Sequence, residues 1–273
     1  MATRTSRSSA HARTRRLHDS RAWRSLARGG FAVNGLLHIL IGIIALGLVL
    51  PGSGGGEADP SGALQSLAST PFGGILIWIV SVGLAALGLW LIVDGILDRT
   101  DNDAAKKIGI AIAKGLTYLA LSASALRIAL GGSTSSSGDA QSATATLLQA
   151  PAGVVLVVIT GLVVLGIGVY FIAKGVRKDF LDDIRTPSGQ IGTAVTALGV
   201  TGYAAKGIAL LAVGGLVVSA AVASDSARST GLDGALRSLL ELPFGAVILS
   251  VVAIGLMAYG VYCFARARYA TLD

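Results

Sequence analysis

One cysteine, Cys263, and three histidines are all that 273 residues offer by way of soft or imidazole ligands. That scarcity excludes a disulfide framework and any zinc-finger or Cys-x-x-Cys site. Charge is scarce too: Asp, Glu, Lys and Arg together make 14% of the chain, and aromatic residues 5%. What replaces them is 53% hydrophobic residues, 37 glycines and a mean hydropathy of +0.72, too apolar for a water-soluble domain of this length. Six stretches, residues 29–50, 72–97, 108–130, 152–176, 191–222 and 244–265, are long apolar runs. Each reaches the roughly 20 residues that cross a hydrocarbon core of ~30 Å at ~1.5 Å per residue. A spanning backbone must satisfy its own hydrogen bonds, so the runs read as helices, and glycine there allows close helix approach. The sequence predicts an all-α integral membrane protein with six transmembrane helices.

Basic residues orient it. The segment 1–28 holds eight arginines, the second connection carries Arg99, Lys106 and Lys107, the fourth Arg177, Lys178 and Arg185, and the C-terminus Arg266 and Arg268. All fall on one side, which places both termini in the cytoplasm. The first and third connections hold Glu57, Asp59 and Asp139 with no basic residue; the fifth, with Arg228 and Arg237, is the exception. The net charge of +7 is then a matter of topology and of contact with anionic inner-leaflet lipid, not of nucleic acid. The apolar run behind the leader is too long for a cleaved secretory signal, so a signal anchor fits better. Arg15-Arg16 is followed by Leu17-His18-Asp19, not the apolar continuation of a twin-arginine signal. An organellar transit peptide shares the leader's arginine- and serine-rich composition, and a basic stretch lying on the membrane is the simpler alternative.

An internal repeat organises the rest. Adding 80 and 172 superposes Asn34-Gly35 on Lys114-Gly115 and Lys206-Gly207. The same offsets superpose Pro71 on Pro151 and Pro243, Gly88 on Gly168 and Gly260, and Leu67 on Leu147 and Leu239. The chain is thus three tandem hairpins, 29–98, 106–178 and 191–269, each a helix, an outer loop and a returning helix. Before each proline a leucine-bearing segment suggests a short helix at the outer interface, with a plain connector as the alternative, and the proline suits the first turn of the returning helix. Three such units behind a basic N-terminus, with Pro71-Phe72-Gly73 and Pro243-Phe244-Gly245 opening two return helices, resemble the bacterial membrane family named domain of unknown function 1206. The middle repeat departs from the motif with Pro151-Ala152-Gly153. The resemblance, over about residues 26–269, implies a bacterial inner-membrane protein and brings no activity or site residues with it.

Polar residues inside the spans form a set once the repeats are aligned, and intramembrane ionisable groups are functional candidates by default. Asn34, Lys114 and Lys206 occupy one level of the outgoing helices; Asp94, Lys174 and Arg266 occupy the matching level of the returning ones. One turn deeper on the returning helices lie Trp90, Tyr170 and Tyr262. Pseudo-threefold packing would gather the six polar residues into a ring on the cytoplasmic side with an aromatic layer behind it. Asp94 would pair with Lys114, leaving positive charge for an anionic ligand or lipid phosphate. The alternative is that the cations snorkel to the headgroups and the rings form an interfacial belt. His38 reads as a helix–helix hydrogen-bonding residue, Cys263 as packing, and Arg127 as snorkelling outward.

No nucleophile–base–orienter set, metal cluster or nucleotide fingerprint is present, so no enzyme and no cofactor are expected. The favoured reading is a noncatalytic scaffold, assembly factor or lipid-interacting protein whose partners are the bilayer, its anionic lipids and other membrane proteins. The alternative is a small-solute or ion transporter, against which stands the presence of only one acid, Asp94, within a span.

Overall fold

In a computed structural model, residues 21–50, 56–97 and 104–271 are described. The first twenty residues of the basic leader and Arg99 lie outside them. Six helices are long and apolar enough to cross a membrane: α1 (Arg21–Gly47), α3 (Gly73–Leu97), α4 (Ala104–Ala129), α6 (Gly153–Arg177), α7 (Gly189–Ala223) and α9 (Gly245–Tyr269). Between the two helices of each hairpin lies a short helix: α2 (Pro60–Ala68), α5 (Ser136–Gln149) and α8 (Gly231–Leu240). Among the described residues the only β-type pairing is an isolated bridge between Ile184 and Ala270. Large apolar side chains such as Ile75, Trp78, Val163 and Val251 are exposed along the long helices, a surface suited to lipid and not to water. This is a multi-pass membrane protein.

The strongest packing joins different repeats. α3 packs on α4, α6 on α7, and α9 closes back on α1, each more extensively than any pair within a hairpin. The repeated glycines explain why. A Cβ added to Gly35 would lie 2.6 Å from the carbonyl oxygen of Gly260, one on Gly115 2.7 Å from that of Gly88, and one on Gly207 2.6 Å from that of Gly168. At each crossing the two backbones touch because neither residue has a side chain. Two turns further along, all three crossings again use small residues: Gly42 against Ala253, Gly214 against Gly161, and Ser122 against Ser81. Only the last pair adds hydrogen bonds, with Ser122 Oγ donating to the Ser81 carbonyl at 2.8 Å and Ser81 Oγ donating to the Ser122 carbonyl at 3.1 Å.

The threefold is incomplete between those tight pairs. α7 packs on α9 and α1 on α3, but α4 and α6, the two helices of the second hairpin, make no comparable contact. The bundle is closed on two sides and parted on the third. α7, with 35 residues, is also the longest of these helices, about 50 Å at ~1.5 Å per residue, more than a hydrocarbon core of ~30 Å requires.

The outer segments are helices and not plain connectors. The return helices begin two residues after the prolines, at Gly73, Gly153 and Gly245, so each proline sits in the preceding turn and not in the first helical turn. A Cβ at any of these glycines would run into the last carbonyls of the short helix before it. That glycine, shared by all three Pro-x-Gly motifs, is what the bend requires. Ala152 and Phe244, at φ 59° and 61°, accept left-handed backbone to make it. The short helices then cap one end of the bundle. Ser61 Oγ meets Ser136 Oγ at 2.7 Å, Gln65 Nε2 donates to the Thr134 carbonyl at 2.6 Å, and Ala58 N–H donates to Asp233 Oδ1 at 2.7 Å. Thr144 Oγ1 donates to Ser229 Oγ at 2.8 Å, which ties the second outer loop to the third.

Candidate functional site

At the opposite end, four cations converge. Lys114 lies within electrostatic reach of Lys174 and Arg266, and Lys206 within reach of Lys114 and Arg266. Two of them, Lys174 and Arg266, share the carboxylate of Asp183. Lys174 Nζ donates to Asp183 Oδ2 at 2.9 Å, and an Arg266 guanidinium nitrogen stands 3.6 Å from the same oxygen. The bridge at Ile184 and Ala270 fixes that carboxylate, since Arg185 N–H donates to the Tyr269 carbonyl at 2.8 Å and Thr271 N–H donates to the Asp183 carbonyl at 3.3 Å. Among the described residues, the ion pairs shown in this cluster join Lys174 and Arg266 to Asp183. Asp94 itself is half-buried on α3.

Aromatic faces stand in for the missing acids. The Lys206 ammonium sits 4.5 Å from the Tyr259 ring centre and 5.2 Å from that of Phe171. Arg266 lies over Phe31 at 4.4 Å and Lys174 over Tyr203 at 5.7 Å. These last two contacts are repeat equivalents, one at the α9–α1 junction and one at the α6–α7 junction. The third junction has Asp94 and Ala111 at the corresponding places and so has neither cation nor ring. Arg266 retains a buried Nε donor with no hydrogen-bond partner. Four positive charges, one shared carboxylate and an unused guanidinium donor make a site prepared for an anion.

The other predicted residues take varied places. Asn34 is buried and its Nδ2 donates to Cys263 Sγ at 3.4 Å, so the single thiol accepts from the ring's one amide. His38 Nδ1 donates to the Asn34 carbonyl at 2.8 Å within α1, not across to another helix, while its ring packs against Tyr259. Trp90, Tyr170 and Tyr262 stand in different surroundings. Trp90 packs with Ala27 and Leu87, Tyr262 is wholly buried with its hydroxyl donating to the Phe180 carbonyl at 3.2 Å, and Tyr170 is 57% exposed. The aromatic cluster that lies behind the cations is instead Phe171, Phe180, Tyr203, Tyr259 and Tyr262.

The residues not anticipated from sequence carry a trace there. Thirty-two residues separate Lys174 from Lys206, against twenty between Asp94 and Lys114. The longer connection supplies Phe180 and Asp183, and also the extra turns of α7. Tyr203 stands in the repeat register of Phe31, a signal visible only by looking for rings opposite the aligned cations.

The three-hairpin geometry agrees with a family pattern described as Domain of Unknown Function (DUF1206), which matches residues 29–98, 110–178 and 201–270. The chain belongs to the DUF1206 family. A relative, the uncharacterised protein YxxB of Bacillus subtilis (strain 168), is 29% identical over 260 residues, covering 92% of this chain and 93% of that one. No solved structure matches this DUF1206 chain. The three matched segments omit residues 179–200 entirely, and Phe180 and Asp183 lie there.

Proposed function

We propose that the chain is a noncatalytic, lipid-interacting protein of the bacterial inner membrane, with both termini in the cytoplasm, that holds an anionic phospholipid headgroup in the basic cluster. The observation that carries this is the gathering of positive charge: Lys114, Lys174, Lys206 and Arg266 converge where Asp183 pairs with Lys174 and Arg266, and Arg266 Nε has no hydrogen-bond partner. Keeping that many cations within a span is unfavourable without an anion, and a phosphate oxygen accepts from guanidinium and ammonium alike. Access supports a lipid in particular. Lys114 is exposed on α4, beside the one place where neighbouring long helices do not pack, so a headgroup can arrive sideways with its acyl chains still in the bilayer.

The cap at one end and the cations at the other favour one second reading, passage of a small anion. Two measurements separate them. Purified protein in phosphatidylcholine nanodiscs, titrated with phosphatidylglycerol and separately with inorganic phosphate, is expected to select the lipid. A flux assay in liposomes is expected to show no protein-dependent anion movement; selective movement would replace the lipid-binding reading with the transport one.

A further inference from the structure

The capped end holds a second charged cluster of opposite sign. Asp59 is completely buried, and its Oδ1 accepts from Gly62 N–H at 3.0 Å to cap α2, but its Oδ2 has no partner. Glu57 places Oε1 on Ser135 Oγ at 2.7 Å while its Oε2 is buried without a partner. Two further buried oxygens, Thr134 Oγ1 and Ser137 Oγ, are unpartnered on the adjoining segment of the second outer loop. All four fall on the seam that joins the first loop to the second, pinned by the Glu57–Ser135, Ser61–Ser136 and Gln65–Thr134 bonds. Asp233 of the third loop adds its charge to the same neighbourhood, but its carboxylate is occupied by Ala58 N–H and by Arg237 Nε at 2.8 Å. Arg237 also donates to the Gly56 carbonyl at 3.2 Å, so the only cation of the cluster is already engaged.

We infer that this seam binds a calcium-class divalent cation, with the Glu57 and Asp59 carboxylates and the Thr134 and Ser137 hydroxyls among its ligands. Buried carboxylate oxygens without donors are expensive, and orphaned oxygens gathered at one seam point to a missing positive partner. The donor set consists of hard oxygens alone, two carboxylates and two neutral hydroxyls, which suits calcium's flexible shell at 2.3–2.6 Å better than magnesium's strict octahedron. Among the described residues no group of three or more His, Cys, Asp or Glu side chains could hold a metal ion, so the hydroxyl oxygens have to complete any shell here, and they are poor ligands for a transition metal. A divalent ion here converts the repulsion between the Glu57 and Asp59 carboxylates into a link between two loops and thereby tightens the cap.

Calcium ion is the probe, with magnesium and potassium as comparators, on the full chain in detergent at pH 7.5. Calcium at millimolar concentration is expected to raise the midpoint of thermal unfolding by about 3–5 °C over chelator, magnesium by less, and potassium not at all. Asp59→Asn, which keeps the helix cap, and Glu57→Gln should each abolish the calcium shift. Terbium luminescence read on the folded, monodisperse variants provides the same comparison independent of stability. Absence of calcium binding to the unsubstituted protein, or a shift of equal size in both variants, overturns the assignment.

Discussion

The crossings between repeats and the basic cluster near their ends are built on opposite plans. The crossings repeat faithfully: glycine faces glycine at 35 and 260, 115 and 88, and 207 and 168, and small residues meet again two turns on. The cluster keeps the threefold at two junctions, in Arg266 over Phe31 and Lys174 over Tyr203, and abandons it at the third, where Asp94 and Ala111 stand. Asp183, from a connection the other repeats lack, then supplies the carboxylate. Packing follows the repeat because close helix approach depends only on backbone and side-chain size. A binding site gains a direction only by departing from symmetry.

That contrast is open to attack, beginning at the crossings. Gly35→Val, Gly115→Val and Gly207→Val are each expected to lower stability by about 1–3 kcal/mol, in similar degree, because the added atoms meet a facing carbonyl. Gly166→Ala is the control, since a Cβ there meets nothing within 4 Å. Unequal losses among the three, measured by denaturant titration in mixed micelles, would break the claim of equivalence. Next, Asp183→Asn removes the anchor of Lys174 and Arg266 and leaves the cluster wholly positive. A loss of about 1–2 kcal/mol is expected, greater at low ionic strength than at high. Lys206→Met should act in the other direction, stabilising the protein by roughly 1 kcal/mol while weakening anionic-lipid binding, as befits a residue placed for a ligand and not for packing. The smallest effect belongs to Ser81→Ala with Ser122→Ala. Interhelical hydrogen bonds in membranes average about 0.6 kcal/mol, and the α3–α4 crossing should then match the other two at this level, where Gly42 meets Ala253 and Gly214 meets Gly161.

The capped end offers a pH test. Burial, with the nearby charges of Glu57 and Asp233, pushes the Asp59 carboxyl up to about 6, against the opposing pull of the Gly62 N–H bond. Protonation is therefore favoured when the cap is closed. In chelator, the contribution of Asp59 to cap stability is full below pH ~4, the ordinary carboxyl range, and is lost as pH rises through about 6. Protection factors of α2 amides, taken relative to intrinsic exchange at each pH, should rise on acidification across that window, and Asp59→Asn should remove the rise.

The fold was largely legible in the sequence. Hydropathy and length mark the six spans, and two constant offsets reveal the hairpins before any contact is known. Which helices pair was hidden, because the offsets align residues within each copy and say nothing of which copy a given glycine touches. Gly35 and Gly88 belong to one hairpin yet touch Gly260 and Gly115 of the other two. The cation set at 114, 174, 206 and 266 was legible for the same reason as the hairpins. Asp183 and Phe180 were not, since they lie in the connection that has no counterpart. Of the rings expected at 90, 170 and 262, Tyr170 is exposed while Tyr262 is enclosed with Phe180 of the long connection, a difference in surroundings that repeat alignment alone does not show.

Lipid preference tests the central claim most directly. Delipidated protein is titrated with phosphatidylglycerol and with phosphatidylcholine and the complexes are counted by native mass spectrometry. Phosphatidylglycerol is expected to bind about tenfold more tightly, and the preference to disappear in Lys114→Gln with Lys206→Gln while helicity and monodispersity are retained. Equal affinity for the two lipids, or a preference unchanged by that double substitution, would contradict it.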